Sequence, residues 1–182
     1  MPPRQSRPLF GGAIVADLPA DLKDASDIRQ VPDNQEVFLY PDLVGPFLVI
    51  EILQRVSNEN DLDAVKFHFE ALAHDNEAIS STMQESRRIP NDREDSTPSL
   101  IVLRGVQSIR KFNQTAIDQV EVLMALFRVQ KDHKSADIVV SANIPRKSGG
   151  QDMIREEKAA VITSDFDALV LSLRIVDYNL FA

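Results

Sequence analysis

The chain contains no cysteine. That excludes a disulfide framework and any cysteine-ligated metal site, and it fits a reducing compartment. Long apolar runs are missing too: no stretch approaches the roughly 20 residues that a membrane-spanning helix needs. The opening MPPRQSRPLFGG has two arginines but no apolar centre, and its prolines oppose an amphipathic helix, so no signal or transit peptide is read there. Histidine is scarce. His68, His74 and His133 lack partners at metal-ligand spacing, and His68, between Phe67 and Phe69, reads as a tucked helix residue. A G-x-S-x-G elbow, a Walker loop, a kinase-type lysine motif and H-E-x-x-H are all absent. The expectation is a protein without catalytic residues, cofactor or metal, which binds neither nucleic acid nor membrane.

What is present is acid, unevenly placed. The 182 residues are 43% hydrophobic and 26% charged, an ordinary balance for one globular domain, expected to span 1–182. Net charge is −8, and residues 17–70 hold twelve acids against four bases, which accounts for all of it; elsewhere sixteen acids meet sixteen bases. Such a surface repels polyanions and steers a basic protein partner.

The order of elements is legible in outline. LFGGAIVADLP (9–19) reads as a strand entered through a Gly-Gly bend, and DASDIRQV as a polar turn with Asp24 or Ser26 as cap. Pro32-Asp33-Asn34 is a turn by its chemistry. It feeds a strand in which Glu36, Phe38 and Tyr40 alternate with Val37, Leu39 and Pro41. In GPFLVIEILQRVSNEN (45–60), Val49, Ile52, Leu53 and Val56 recur at helical spacing, so an amphipathic helix is expected, with Pro46 in its first turn and Glu51, Gln54, Arg55 and Asn58 opposite. Residues 61–76 repeat the pattern with Leu62, Val65, Phe69 and Leu72, capped by Asn60 or Asp61. A strand over 78–86 precedes a polar loop, 87–99, expected to be mobile. LIVLRGVQSIRKF, QVEVLMALFRVQ and ADIVVSANIP are β-rich, the last two joined by a hairpin at KDHKS. A long helix over 151–173 and a short extended tail complete the chain. Strands, helices, strands, helix is an α+β order, so the sheet is expected to be antiparallel with helices on its faces.

LFGGAI followed by Pro19, then DASDIRQVPDNQEVF, FLVIEILQ, FHFEAL and the ending RIVDYNLFA resemble the Ran guanine-nucleotide release factors, the Mog family of nuclear import factors. The likeness is dense over 9–72 and returns in the last nine residues. It implies a six-stranded antiparallel sheet flanked by helices, an α/β/α sandwich like the extrinsic PsbP subunit of photosystem II. It also implies the small GTPase Ran as partner, release of its guanine nucleotide as activity, and residence in nucleus and cytoplasm; the chain is expected to act as a monomer. The family's acidic contact positions, carried onto IEILQ, fall on Glu51 and on Gln54, where an amide replaces the usual acid. Asp33, Glu36, Asp24 and Asp27 are the neighbouring acids expected to complete the site. An acidic adaptor for a different basic partner is the alternative on the same fold.

Overall fold

The computed structural model describes residues 3–43, 47–110 and 115–181. Two strands open it, β1 (Arg4–Leu9) and β2 (Ile14–Pro19), paired antiparallel across a 3-10 turn at Phe10–Gly12. Gly11 and Gly12 sit at φ +66° and +92°, a region open to glycine at no steric cost, which explains the Gly-Gly pair. A two-residue strand β3 (Lys23–Asp24), a 3-10 turn (Ala25–Asp27), β4 (Gln35–Leu39) and β5 (Phe47–Leu53) follow. Helix α1 (Asp61–Asp75) leads to β6 (Ala78–Ile89), β7 (Leu100–Arg110), β8 (Ile117–Lys131), β9 (Lys134–Ser148) and the short β10 (Gln151–Asp152). Helix α2 (Glu156–Ser172), β11 (Arg174–Ile175) and a 3-10 turn (Tyr178–Leu180) end the described chain.

The large sheet runs β3-β4-β5-β9-β8-β7-β6, with β10 beside β9, and every pairing is antiparallel. The sheet is larger than the six strands that the resemblance implies: it holds eight, counting the two-residue β3 and β10, while β2, from the strand expected over 9–19, lies in a second, three-stranded sheet β1-β2-β11. Alternation along β8 shows how the layers form. Leu123, Ala125, Phe127 and Val129 pack into the cluster with Ile162, Phe166 and Leu169 of α2 and with β2, while Val122, Met124 and Leu126 pack beneath Ala64, Val65 and Phe69 of α1. A strand covered on both faces is apolar at nearly every position, which is why QVEVLMALFRVQ is such a long run.

The expected stripe of α1 shifts by one position. Ala64, Val65, His68, Phe69 and Ala73 are buried, whereas Leu62 is exposed. Its cap is Asn60, whose side chain accepts from Leu62 N at 2.8 Å.

Three expectations are corrected. Residues 47–53 form a strand, not a helix, because FLVIEIL pairs on both sides, with β4 and with β9. Ladder bonds to two neighbours and burial of Leu48 and Ile50 in one cluster, with Ile52 packed against it, outweigh a helical spacing that fits the same letters. Pro46, placed in that helix, lies outside the described residues. The loop 87–99 is fastened: β6 extends through Ile89, Asn91 Nδ2 donates to Thr97 O at 2.8 Å, and Arg93 Nη1 donates to Leu171 O. Thr97 Oγ1 accepts from Ile175 N at 3.0 Å, tying the same loop to β11. Finally, α2 begins at Glu156, because 151–152 turn back along β9 as β10.

Candidate functional site

The acids singled out by the sequence lie on or beside β3, β4 and β5, the strands at one edge of the large sheet. Asp24 ends β3 and caps the 3-10 turn, its Oδ1 accepting from Ser26 N at 2.8 Å and from Ser26 Oγ at 2.6 Å. Asp27 lies exposed in that turn. Asp33 is exposed in the turn before β4, where Gln35 N donates to Pro32 O at 2.9 Å. The next residue binds this turn to β5: Asn34 O accepts from Ile52 N at 2.9 Å and Asn34 Nδ2 donates to Ile52 O at 3.1 Å.

Cross-strand register then sorts the remaining residues by face. Gln35 stands opposite Glu51, Val37 opposite Val49 and Leu39 opposite Phe47, all on the α1 side of the sheet. Gln35 Nε2 donates to Glu51 Oε1 at 2.5 Å, so the carboxylate is half-buried and held in place. Glu36 stands opposite Ile50 and faces the α2 side. Its Oε1 accepts from Phe10 N at 2.6 Å, which steadies a residue at φ +49°. The fold therefore separates Glu36 from Glu51 by the thickness of the sheet. Gln54, exposed, follows the last residue of β5. A helix would have set Glu51 and Gln54 on one face at i and i+3; a strand does not.

Directly behind this edge lies a buried ionic knot that sequence reasoning missed. Asp137 of β9 is fully buried. Its Oδ2 is 2.8 Å from His68 Nε2 and accepts from Val56 N at 3.1 Å, while its Oδ1 lies 3.4 Å from Arg128 Nε and 4.0 Å from Arg55 Nη1. Arg128 also donates to Val56 O at 2.7 Å and to Asn58 O at 2.6 Å. The segment between β5 and α1 is thereby clamped to β8 and β9. A single arginine in QVEVLMALFRVQ and a single aspartate in ADIVVSANIP were the visible signals, since charges inside otherwise apolar strands demand partners.

A second knot joins the amino terminus to α2. Arg4 Nη2 lies 3.1 Å from Asp165 Oδ1, and Tyr40 Oη donates to Asp165 Oδ2 at 3.1 Å. Burial, then the adjacent Asp165 carboxylate, pushes the Tyr40 phenol far above the ordinary tyrosine range, so it stays a neutral donor. Among the described residues no group of three or more His, Asp or Glu side chains could hold a metal ion, and no helix is long and apolar enough to cross a membrane.

Fold and site together define an α/β/α sandwich whose marked surface is a carboxylate-bearing sheet edge, the property of a protein-binding module. A family model described as Ran-interacting Mog1 protein matches residues 7–145, and the chain belongs to this Mog1 family. It is 35% identical over 187 residues to the Ran guanine nucleotide release factor of Danio rerio, covering 97% of this chain and 99% of the relative. It is 25% identical over 189 residues to the nuclear import protein MOG1 of Saccharomyces cerevisiae, covering 96% and 83%. The crystal structure of the Saccharomyces cerevisiae Ran-binding protein Mog1p superposes with a TM-score of 0.71 at 22% identity, covering 100% of both chains. The solution structure of cyanobacterial PsbP from Synechocystis superposes with a TM-score of 0.61 at 10% identity, covering 96% and 94%, a likeness of fold alone.

Proposed function

We propose that this chain is a Ran-binding regulator that promotes release of guanine nucleotide from the GTPase and supports nucleocytoplasmic protein transport. Its membership of the Mog1 family is the observation that carries the reading. The concentration of acid at the β3-β4-β5 edge supplies a physical basis for it, since carboxylates at a rim speed encounter with a basic surface and a few desolvated pairs slow escape. Glu51, Gln54, Asp33, Glu36, Asp24 and Asp27 are the contact residues in this reading, and Glu36 also holds the Phe10 turn. The chain acts as a single domain over 1–182, as a monomer, in nucleus and cytoplasm, and no covalent bond changes in the step it promotes.

Release requires differential affinity. A factor that binds loaded and empty Ran equally shifts nothing; moving the equilibrium from 1:99 to 99:1 takes a preference of about 10⁴-fold, or roughly 5.5 kcal/mol. The test is the decay of a fluorescent guanine nucleotide on Ran with and without this protein. Faster decay, and a complex that survives gel filtration only when nucleotide is stripped, are expected. Glu51→Lys should diminish both while leaving the circular dichroism spectrum unchanged. An unaltered decay rate with the wild-type protein refutes the reading.

A further inference from the structure

The carboxylate of Glu51 has a neutral partner and no cationic one. Register sets it between Gln35 of β4 and Val139 of β9. Gln35 Nε2 donates to its Oε1 at 2.5 Å, the one side-chain hydrogen bond that Glu51 makes among the described residues. Oε2 accepts from no described group, yet it is not buried, so it reaches solvent. The donor is itself anchored. Gln35 N donates to Pro32 O at 2.9 Å, and Asn34, just before it, holds both backbone polar groups of Ile52, just after Glu51.

None of the cations around this edge pairs with Glu51. Arg55 and Arg128 are drawn to Asp137, which is fully buried and also meets His68. Lys23 stands opposite Leu39, four positions along β4 from Gln35, or roughly 13 Å at the rise of a strand. Arg29, in the loop before β4, forms no ion pair among the described residues. A carboxylate neutralised within its own chain has little left for a partner's cation. A neutral amide on one oxygen instead fixes the side chain and leaves its full charge to the other oxygen. Holding a side chain before binding also avoids the cost of ordering it afterwards, a penalty worth roughly three- to ten-fold in affinity.

We propose that Gln35 is a positioning residue for the contact with Ran: it orients Glu51 so that Oε2, still uncompensated, meets a lysine or arginine of the GTPase. The inference rests on the function proposed above and deepens it, since Gln35 acts through Glu51 and not by touching the partner. Gln35→Met tests it cleanly, because the substitution keeps the length of the side chain and the net charge and deletes only the donor.

The experiment measures the affinity of nucleotide-free Ran for the wild-type protein, Gln35→Met, Glu51→Ala and the double variant, with association and dissociation rates for each. Gln35→Met is expected to bind roughly three- to ten-fold more weakly, through faster dissociation. Its association rate should stay within about two-fold, since the charge that steers encounter is unchanged. In the Glu51→Ala background the same substitution should change affinity by less than about two-fold, because no carboxylate is left to hold. A loss of packing alone would carry into that background undiminished. Gln35→Met binding as tightly as wild type, or costing as much without Glu51 as with it, overturns the positioning role and leaves the function standing. An unchanged affinity in Glu51→Ala does the same. Should Gln35→Met fail to fold, the unaltered protein decides: its Gln35 side-chain amide NMR signals must shift when nucleotide-free Ran binds, and unmoved signals overturn the role. A wild-type protein that neither binds Ran nor hastens release refutes the function and the positioning together.

Discussion

Replacing Asp137 by alanine tests whether the buried knot holds the β5–α1 segment. The carboxylate is fully buried and meets His68, Arg128, Arg55 and the amide of Val56 at once. Its removal strands the Arg128 guanidinium, whose side chain is only 5% exposed. Removing one partner of a buried ion pair costs about 3–5 kcal/mol, because the remaining charge stays desolvated. Arg128 keeps Asp61 at 3.4 Å and the carbonyls of Val56 and Asn58, so the lower end of that range, about 3 kcal/mol, is expected. With a urea m-value of about 2 kcal/mol/M, the unfolding midpoint falls by roughly 1.5 M. Adding Arg128→Met should restore part of the loss, with a coupling of about 1–3 kcal/mol between the two positions. Amide exchange at Val56 should accelerate in Asp137→Ala more than exchange at Leu126, in the middle of β8. A midpoint lowered by less than about 0.3 M, or a double variant as weak as the sum of its parts, refutes the reasoning.

Gly105 of β7 offers a second test, since an added Cβ would lie 2.5 Å from Phe69 Cζ and 2.8 Å from the backbone oxygen of Thr82. Gly105→Ala should cost about 1–3 kcal/mol in urea unfolding, and Phe69→Leu in that background should recover part of it; a neutral Gly105→Ala contradicts the packing described here. Tyr40→Phe should lose about 1 kcal/mol at pH 7 through the bond to Asp165. Because the folded pKa of Tyr40 is raised above its unfolded value near 10, its contribution is complete below about pH 10 and is lost as pH rises from there. The gap between wild type and Tyr40→Phe in urea midpoint should therefore narrow above about pH 10, and a gap that widens there has the sign wrong.

Much of the architecture was legible because it is written in local chemistry. Cap and stripe marked α1 to within a residue, and β7, β8 and β9 announced themselves by branched and aliphatic side chains that suit a pleated, covered surface. The pile-up of acid before residue 71 needed only counting. Residues 47–53 resisted because FLVIEIL satisfies two periods at once, and only pairing with β4 and β9, up to 96 positions apart in register, chooses between them. That choice carried the site with it. Once the segment is a strand, Glu51 joins Val37 and Val49 on one face while Glu36 crosses to the other, and Arg128, Asp137 and His68 meet although 60 residues or more separate the histidine from the other two. Local propensity and charge content are properties of neighbouring residues, so the sequence alone determined them. Which face a side chain occupies, and which buried charge answers another, depends on long-range register and desolvation, and those exist only after the sheet has assembled.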